Sequence, residues 1–270
     1  MSFSAPNECP RDRRERPRDS ISVVIPAHNE EPRLVAAIRE VLSAVRDQFA
    51  DFELIIVEDA SSDRTPEIAD ELAREHDCVR VIHLPPPNGH GLGGAFKAGL
   101  RQATKEYVSV AHGDGGTSAA ELIRIWAARG EADLVIPYML NDDERPPIRL
   151  AISRAFRFTV NRLFGIRVRC HGHYVLYRRE WIQGIRLRTD GHAFQAEAVI
   201  KLLRAGHSFV EVGVCDDFEN QAPTRSYTPR NILRILWFFA TTAYDVYLAA
   251  PRPLPKADAA HTARRGSSLP

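Results

Sequence analysis

The feature that most limits the fold of this 270-residue chain is a regular alternation in its first half. Runs of β-branched residues, each ending in a polar turn, are followed by stretches with apolar residues at helical spacing. "SISVVIPAHNE" reads as a buried strand, "EPRLVAAIREVLSAV" as a helix and "FELIIVEDAS" as a second strand. "TPEIADELAREH" reads as a helix with Thr65 as its N-cap and Pro66 at its first position. "VRVIHL", "GLGGAFKAGLRQAT" and "YVSVAHG" continue the order as strand, helix and strand. Strand and helix alternating at such short intervals predict an α/β fold, a mostly parallel sheet flanked by helices. Ligands of such sheets lie beyond the carboxyl ends of the strands, and "PAHNE", "EDASSD" and "HGDGG" are three polar turns at such ends.

The second half is less regular. A strand, "ADLVIPYML", leads through the charged loop "NDDERPP" into a helix, "IRLAISRAFRFTVNRLFG". "YVLYRREW", the helix "AFQAEAVIKLLRAG", the strand "SFVEVGVCDDF" and the loop "ENQAPTRSYTPRN" follow, and an apolar helix begins at Ile232. No internal repeat is visible. The basic segment 1–19 and the Pro, Ala and Ser-rich segment 251–270 read as disordered arms outside one domain at 20–250, whose regular half is 20–140 and whose less regular half is 141–250.

Charge excludes some partners. Thirty-six basic residues balance 35 acidic ones for a net charge of +1, so no overall field points to nucleic acid. Cys9, Cys78, Cys170 and Cys215 have no paired spacing, which argues against a zinc knuckle or a disulfide framework and fits reduced thiols in the cytoplasm. No apolar run approaches the ~18 residues of a membrane span. The final helix, interrupted by Arg234 and Asp245, could still lie against a bilayer, so peripheral membrane contact is possible.

The turns carry a resemblance. "VVIPAHNEE", "ELIIVEDASSDRT", "GHGLGGAFKAGL" and "HGDGG", in this order, resemble the successive signatures of family-2 glycosyltransferases of the GT-A fold. The chain is most similar to the dolichol- and polyprenol-phosphate mannosyltransferase group, and "YVLYRREW" and "GHAFQAEAVIKLLRAG" extend the likeness, which covers Ser20 to Phe239. The resemblance implies a sugar transferred by inverting displacement from a nucleoside-diphosphate sugar to an acceptor, either polyprenyl phosphate or a soluble metabolite. It also implies that Pro26, His28, Glu30 and Asp59 hold the base and ribose, with Gly113 beside the diphosphate. Read as residues alone, Glu30 could equally cap the following helix, and Asp59 could bond its own turn. Gly93 and Gly94 could cradle a phosphate at a helix N-terminus or permit close packing.

The departures from the pattern are as informative. Family members carry Asp-x-Asp for a divalent cation at the fourth turn; here the positions are His112 and Asp114. Manganese held by His112 and Asp114, magnesium being disfavoured, and a His112 that meets phosphate without metal are both open readings. On the acceptor side Met139, His171, His173, Val175, Gln221 and Tyr227 stand at or near positions where the group carries its phosphate-binding motifs, several of its cations being lost. Arg149 and Arg225 are the expected replacements, with Arg154 nearby. Glu197 in "FQAEA" matches the group's glutamate and is expected to position the acceptor or take its proton. The altered fourth turn leaves one alternative, a GT-A fold kept for nucleotide-dependent regulation or other chemistry.

Overall fold

The computed structural model describes residues 19–86, 89–215 and 229–249. The chain runs β1 (Ser20–Ala27), α1 (Leu34–Gln48), β2 (Asp51–Glu58), α2 (Thr65–Glu75), β3 (Val79–His83), α3 (Gly91–Gln102), β4 (Tyr107–Val110) and α4 (Ala119–Ala127). It continues as β5 (Leu134–Met139), α5 (Pro147–Phe164), β6 (Leu176–Arg178), α6 (Arg179–Gly184), α7 (Phe194–Arg204), β7 (Phe209–Val214) and α8 (Pro229–Ala243), and a π-helical turn at Tyr244–Leu248 follows α8. The strands form one sheet in the order β3-β2-β1-β4-β6-β5-β7. β6 pairs antiparallel with β4 and β5, and the other pairings are parallel.

The parallel half follows from the sequence pattern. Ile21, Val23, Val24 and Ile25 of β1, and Leu54, Ile55, Ile56 and Val57 of β2, are fully buried, because helices cover both faces of the sheet. Leu34, Ile38, Val41, Leu42 and Val45 give α1 a buried stripe at helical spacing. α3 approaches closely: a side chain at Gly99 would run into Val24 and Val57, so only glycine lets the helix settle there.

The order of the strands sets where a ligand can sit. From β1 the chain winds outward to β2 and β3, then crosses back to place β4 on the other side of β1, so the sheet reverses between β1 and β4. The tips of these two strands stay side by side, since Ala111 N–H donates to the Val24 carbonyl at 3.0 Å and Gly113 N–H to the Pro26 carbonyl at 3.2 Å. A Cβ on Gly113 would stand 3.0 Å from the Pro26 oxygen and 3.2 Å from the Ala27 Cβ. Gly113 is therefore a requirement of the close approach.

One local expectation differs from the structure. Thr65 is the first residue of α2 rather than its N-cap, because its hydroxyl is turned to accept the Glu30 N–H at 2.8 Å. Trp237, Phe238 and Phe239 do not share one fate: Phe238 is fully buried, Phe239 packs against the core and Trp237 is 60% exposed. Among the described residues no helix is long and apolar enough to cross a membrane. The expected arms at 1–19 (all but Asp19) and 251–270 and the expected ligand Arg225 lie outside the described residues.

Candidate active site

The turns after β1 and β2 are laced together by side chains that bond backbone groups. Asn29, held at φ 59°, accepts the Ser62 N–H at 2.8 Å and donates its own N–H to Ser61 Oγ at 3.0 Å. His28 donates from Nδ1 to the Asp59 carbonyl at 2.7 Å, so Nε2 is the acceptor atom, and the Asn29 amide meets it at 3.2 Å. An exposed imidazole is thus fixed in orientation and tautomer at the mouth of the crevice.

Asp59 has a different placement from the one expected. Its carboxylate is buried and accepts His90 N–H at 2.6 Å, His90 Nδ1 at 3.0 Å and Gly91 N–H at 2.9 Å. It bonds neither its own turn nor open space: it caps the N-terminus of α3 from 31 residues away. The neighbouring N–H groups of α3 are also engaged, Gly93 N and Gly94 N donating to the Asp190 carbonyl at 2.8 and 3.3 Å. A Cβ on Gly93 would stand 2.6 Å from the Thr189 carbonyl oxygen, so this glycine serves close packing.

Glu30 does not cap α1, whose start has no side-chain cap. Its backbone carbonyl takes Arg33 N–H and Leu34 N–H at 2.9 Å each, while its carboxylate turns inward with Oε2 buried and without a hydrogen bond. Arg33 approaches only to 3.8 Å. Burial, and then the negative charge of Asp114, push the Glu30 pKa up to about 7. The first and fourth turns therefore bring two acids together.

The fourth turn, 111–118, is pinned on both sides. His112 N–H donates to Thr117 Oγ1 at 3.2 Å, Gly116 N–H to Asp114 Oδ1 at 3.0 Å, and the Tyr174 hydroxyl to the Gly116 carbonyl at 2.9 Å. Ser118 and Glu121 close the turn with a capping box on α4. The His112 ring meets Tyr174 edge-on at 5.2 Å, and its Nε2 is buried with no hydrogen-bond partner. Burial holds the His112 pKa below its usual value against the pull of Asp114, and His173 adds to the depression. Near neutral pH this ring is uncharged, with one nitrogen that has no partner among the described residues.

The acceptor half brings residues that the strand-tip pattern does not reveal. His192, just before α7, is an exposed residue; desolvation of its ring, then His112 and Arg234, lower its pKa against the pull of Asp114. Arg234 reaches over from α8, with Nη1 3.5 Å from the point where a Gly91 Cβ would lie and Cδ 3.5 Å from the corresponding point at Gly191. Arg145 approaches His173 Nε2 at 3.4 Å and pairs with Asp142 at 3.1 Å. No strand-tip signal marks Arg145, His192 or Arg234, because they meet the crevice only through the packing of loops and α8. The expected Arg149 is half-exposed on the first turn of α5 and makes no ion pair with a described residue. His171 is buried against Asn161, to which its Nε2 donates at 3.1 Å, and burial lowers its pKa to about 4.

Glu197 is fully buried, and both its oxygens are already in use. They accept Arg188 N–H at 2.9 and 3.1 Å, Thr189 N–H at 2.8 Å and Lys201 Nζ at 2.6 Å. Lys201 and Arg188 also grip Asp245, at 2.6 and 2.9 Å, beyond the end of α8. The carboxylate thereby ties α7 to the 186–190 segment, and Asp245 joins the end of α8 to both.

Residues 22–186 match the family model described as glycosyl transferase family 2. The chain belongs to this family. A family-2 glycosyltransferase was the expectation from the four turns, and the sheet order is that of the GT-A architecture. Over 205 residues the chain is 28% identical to undecaprenyl-phosphate mannosyltransferase of Micrococcus luteus, covering 72% of this chain and 82% of that protein. Over 212 residues it is 31% identical to polyprenol monophosphomannose synthase of Mycolicibacterium smegmatis, covering 74% of this chain and 78% of that one. In fold it is similar to glucosyl-3-phosphoglycerate synthase from Mycobacterium tuberculosis, solved in complex with Mn2+, UDP-glucose and phosphoglyceric acid. The TM-score is 0.60 at 15% identity, with 88% of each chain covered.

Proposed function

We propose that this family-2 glycosyltransferase moves a sugar from a nucleoside-diphosphate sugar to the phosphate of a polyprenyl phosphate, by inverting displacement in the crevice between β1 and β4. The observation that carries this reading is Asp114 and the unpartnered Nε2 of His112 at the point where the sheet reverses, with His192 in electrostatic reach of both and of the cation Arg234. The base would lie against the fixed His28 ring, with Pro26 and Gly113 shaping the floor. Asp59 would support this pocket through α3 rather than by touching the base.

A divalent cation fits this donor set. Among the described residues no cluster of three or more acids, histidines or cysteines is arranged to hold a metal, so Asp114 and His112 would share the ion with diphosphate oxygens. A nitrogen and oxygen pair suits manganese better than magnesium. When bound, the cation would offset charge on the leaving diphosphate. Arg234 and His192 would meet the acceptor's anionic oxygens on the other side of the crevice.

The choice of a phosphate acceptor follows from what Glu197 does. A hydroxyl acceptor needs a base within reach, whereas a phosphate monoester is nucleophilic as it stands. The acid matched to that position is locked in a structural cage. A lipid-linked phosphate is further favoured by α8 and α5, where Leu236 and Trp237 are each 60% exposed and Ile148 is 75% exposed. Both relatives named above have polyprenyl-phosphate names. The alternative, a fold kept for regulation without transfer, has no observation in its favour.

The test is a panel of nucleoside-diphosphate sugars incubated with undecaprenyl phosphate, with and without manganese, with calorimetry of the matching nucleoside diphosphates alongside. Transfer that is lost in Asp114→Ala supports the reading. A chain that binds no nucleoside diphosphate, or that transfers as well without Asp114, refutes it.

A further inference from the structure

The loops from which the expected phosphate ligands come have lost several cations, yet the fold returns one to the crevice from an element not expected to supply it. Arg234 lies on α8 and is only partly exposed. It makes no hydrogen bond or ion pair with a described residue, and the carboxylate of Asp190, whose carbonyl borders the same glycine, is held by Lys97 at 2.5 Å. Its Nη1 and Cδ are fixed over the entrance of α3 and over Gly191, where glycines leave room for the long side chain. At Gly91, φ is +77° and a Cβ would also stand 2.8 Å from the Asp190 carbonyl. The guanidinium is thus seated in a notch that admits it, with its hydrogen-bond donors unspent among the described residues.

What faces it supplies the second half of the argument. His192, two residues beyond Asp190 and exposed, interacts electrostatically with Arg234, His112 and Asp114. The α3 N-terminus cannot hold an anion here, because Asp59 and the Asp190 carbonyl occupy its N–H groups. Among the described residues of this wall Arg234 is therefore the cation left to bind an anion, and the buried Nε2 of His112 is a further polar atom of the crevice without a described partner. A planar guanidinium with free donors next to a neutral imidazole is suited to the two oxygens of a phosphate monoester.

We propose that Arg234, with His192, forms the phosphate-binding subsite for the acceptor, α8 standing in for the altered 219–228 loop. This rests on the proposed transfer reaction and specifies its acceptor chemistry as a phosphate monoester. Seating depends on the α8 terminus, where Asp245 is gripped by Arg188 and Lys201. Outward from Arg234 the same helix presents Leu233, 67% exposed, and Trp237, along which a lipid chain could run. A lipid phosphate and a free one would share the subsite and differ only in this apolar track.

The test uses the full chain and the variants Arg234→Gln and Arg234→Lys, each checked for native thermal unfolding. Binding of 3-phosphoglycerate is read by calorimetry, and transfer is read with undecaprenyl phosphate in detergent micelles. Removing a charge-assisted hydrogen bond should raise the acceptor KM or Kd by about tenfold or more in Arg234→Gln. Arg234→Lys should recover part of the loss, and the KM for the donor should stay within about twofold. A defect seen in both arms identifies phosphate itself as the ligand; a defect in the micelle arm with no wild-type binding of 3-phosphoglycerate identifies the lipid-linked form. Unchanged acceptor constants in Arg234→Gln, a loss confined to the donor KM, or no wild-type binding or use of either phosphate would overturn the subsite. Failure of nucleoside-diphosphate binding in the wild type would instead overturn the transfer reaction, since that measurement does not involve Arg234.

Discussion

Asp59→Ala separates a residue that holds a nucleotide from one that holds the wall of its pocket. In the structure the carboxylate takes two backbone N–H groups at the start of α3, from His90 and Gly91, and the Nδ1 of His90. Losing an N-cap costs about 1 kcal/mol, and leaving a further buried donor without a partner costs about 1–3 kcal/mol. The exposed His90 ring can turn to water, so its bond adds little. The expected loss is about 2–4 kcal/mol, which at roughly 3 °C per kcal/mol for a domain of this size lowers the melting temperature by about 6–12 °C. Differential scanning calorimetry of the nucleotide-free chain measures this directly. Asp59→Asn should fall between the wild type and Asp59→Ala, since one oxygen remains to accept while the amide must face the second donor. A variant that melts within about 2 °C of the wild type but no longer binds nucleoside diphosphate would refute the capping argument and return Asp59 to the base-binding role.

Three other perturbations have defined outcomes. Glu197→Gln takes the carboxylate from Lys201, a pair with 9% and 0% exposure, and should destabilise towards the lower end of the about 3–5 kcal/mol typical of a broken buried pair, because Lys201 keeps Asp245; a stable Glu197→Gln protein with kcat alone reduced would mean the residue takes a proton. Gly99→Ala sets a methyl against Val24 and Val57 and should cost about 1–3 kcal/mol, read as a lower urea midpoint at unchanged slope. Glu30 is an acid whose folded pKa, about 7, exceeds its ordinary 4.5, so the folded state binds the extra proton between these values and stability falls as pH rises through that window. In chelator-treated buffer Glu30→Gln should flatten this decline and melt above the wild type at pH 8; parallel pH profiles for the two proteins would show that Glu30 is not the group.

The β1–β4 half was legible in the sequence because its chemistry is local. Each strand is a continuous apolar run, each ends in polar residues, and the parallel connection fixes the side on which those ends gather. His28, Glu30, Asp59, His112 and Asp114 were therefore placed at one edge of the sheet before any coordinates. Their partners were not legible. Whether Asp59 faces a ligand or the N-terminus of α3 depends on the path of the 84–91 connection, and Thr65 left its capping role because the Glu30 N–H lay within reach. The acceptor half failed differently. His192 and Arg234 occupy no strand tip, and the arginine expected to serve, Arg149, sits on a helix whose buried residues are Val160 and Phe164 alone. A helix seated only by its far end leaves its first turns facing outward, and periodicity cannot tell that arginine from one directed inward.

The exchange of aspartate for histidine at position 112 also acquires a physical reason from the packing. Glu30 is already pushed up to about 7 by burial and by Asp114, so the crevice holds two acids that repel each other. A carboxylate at 112 would add a third negative charge at a place where the present side chain has a buried, unpartnered nitrogen. Such a triad is stable only when a cation sits among the acids. A neutral imidazole lowers that cost in the ion-free protein while still offering one lone pair. On the proposed reading, such a crevice would keep its shape without metal and take an ion chiefly when diphosphate brings additional oxygens.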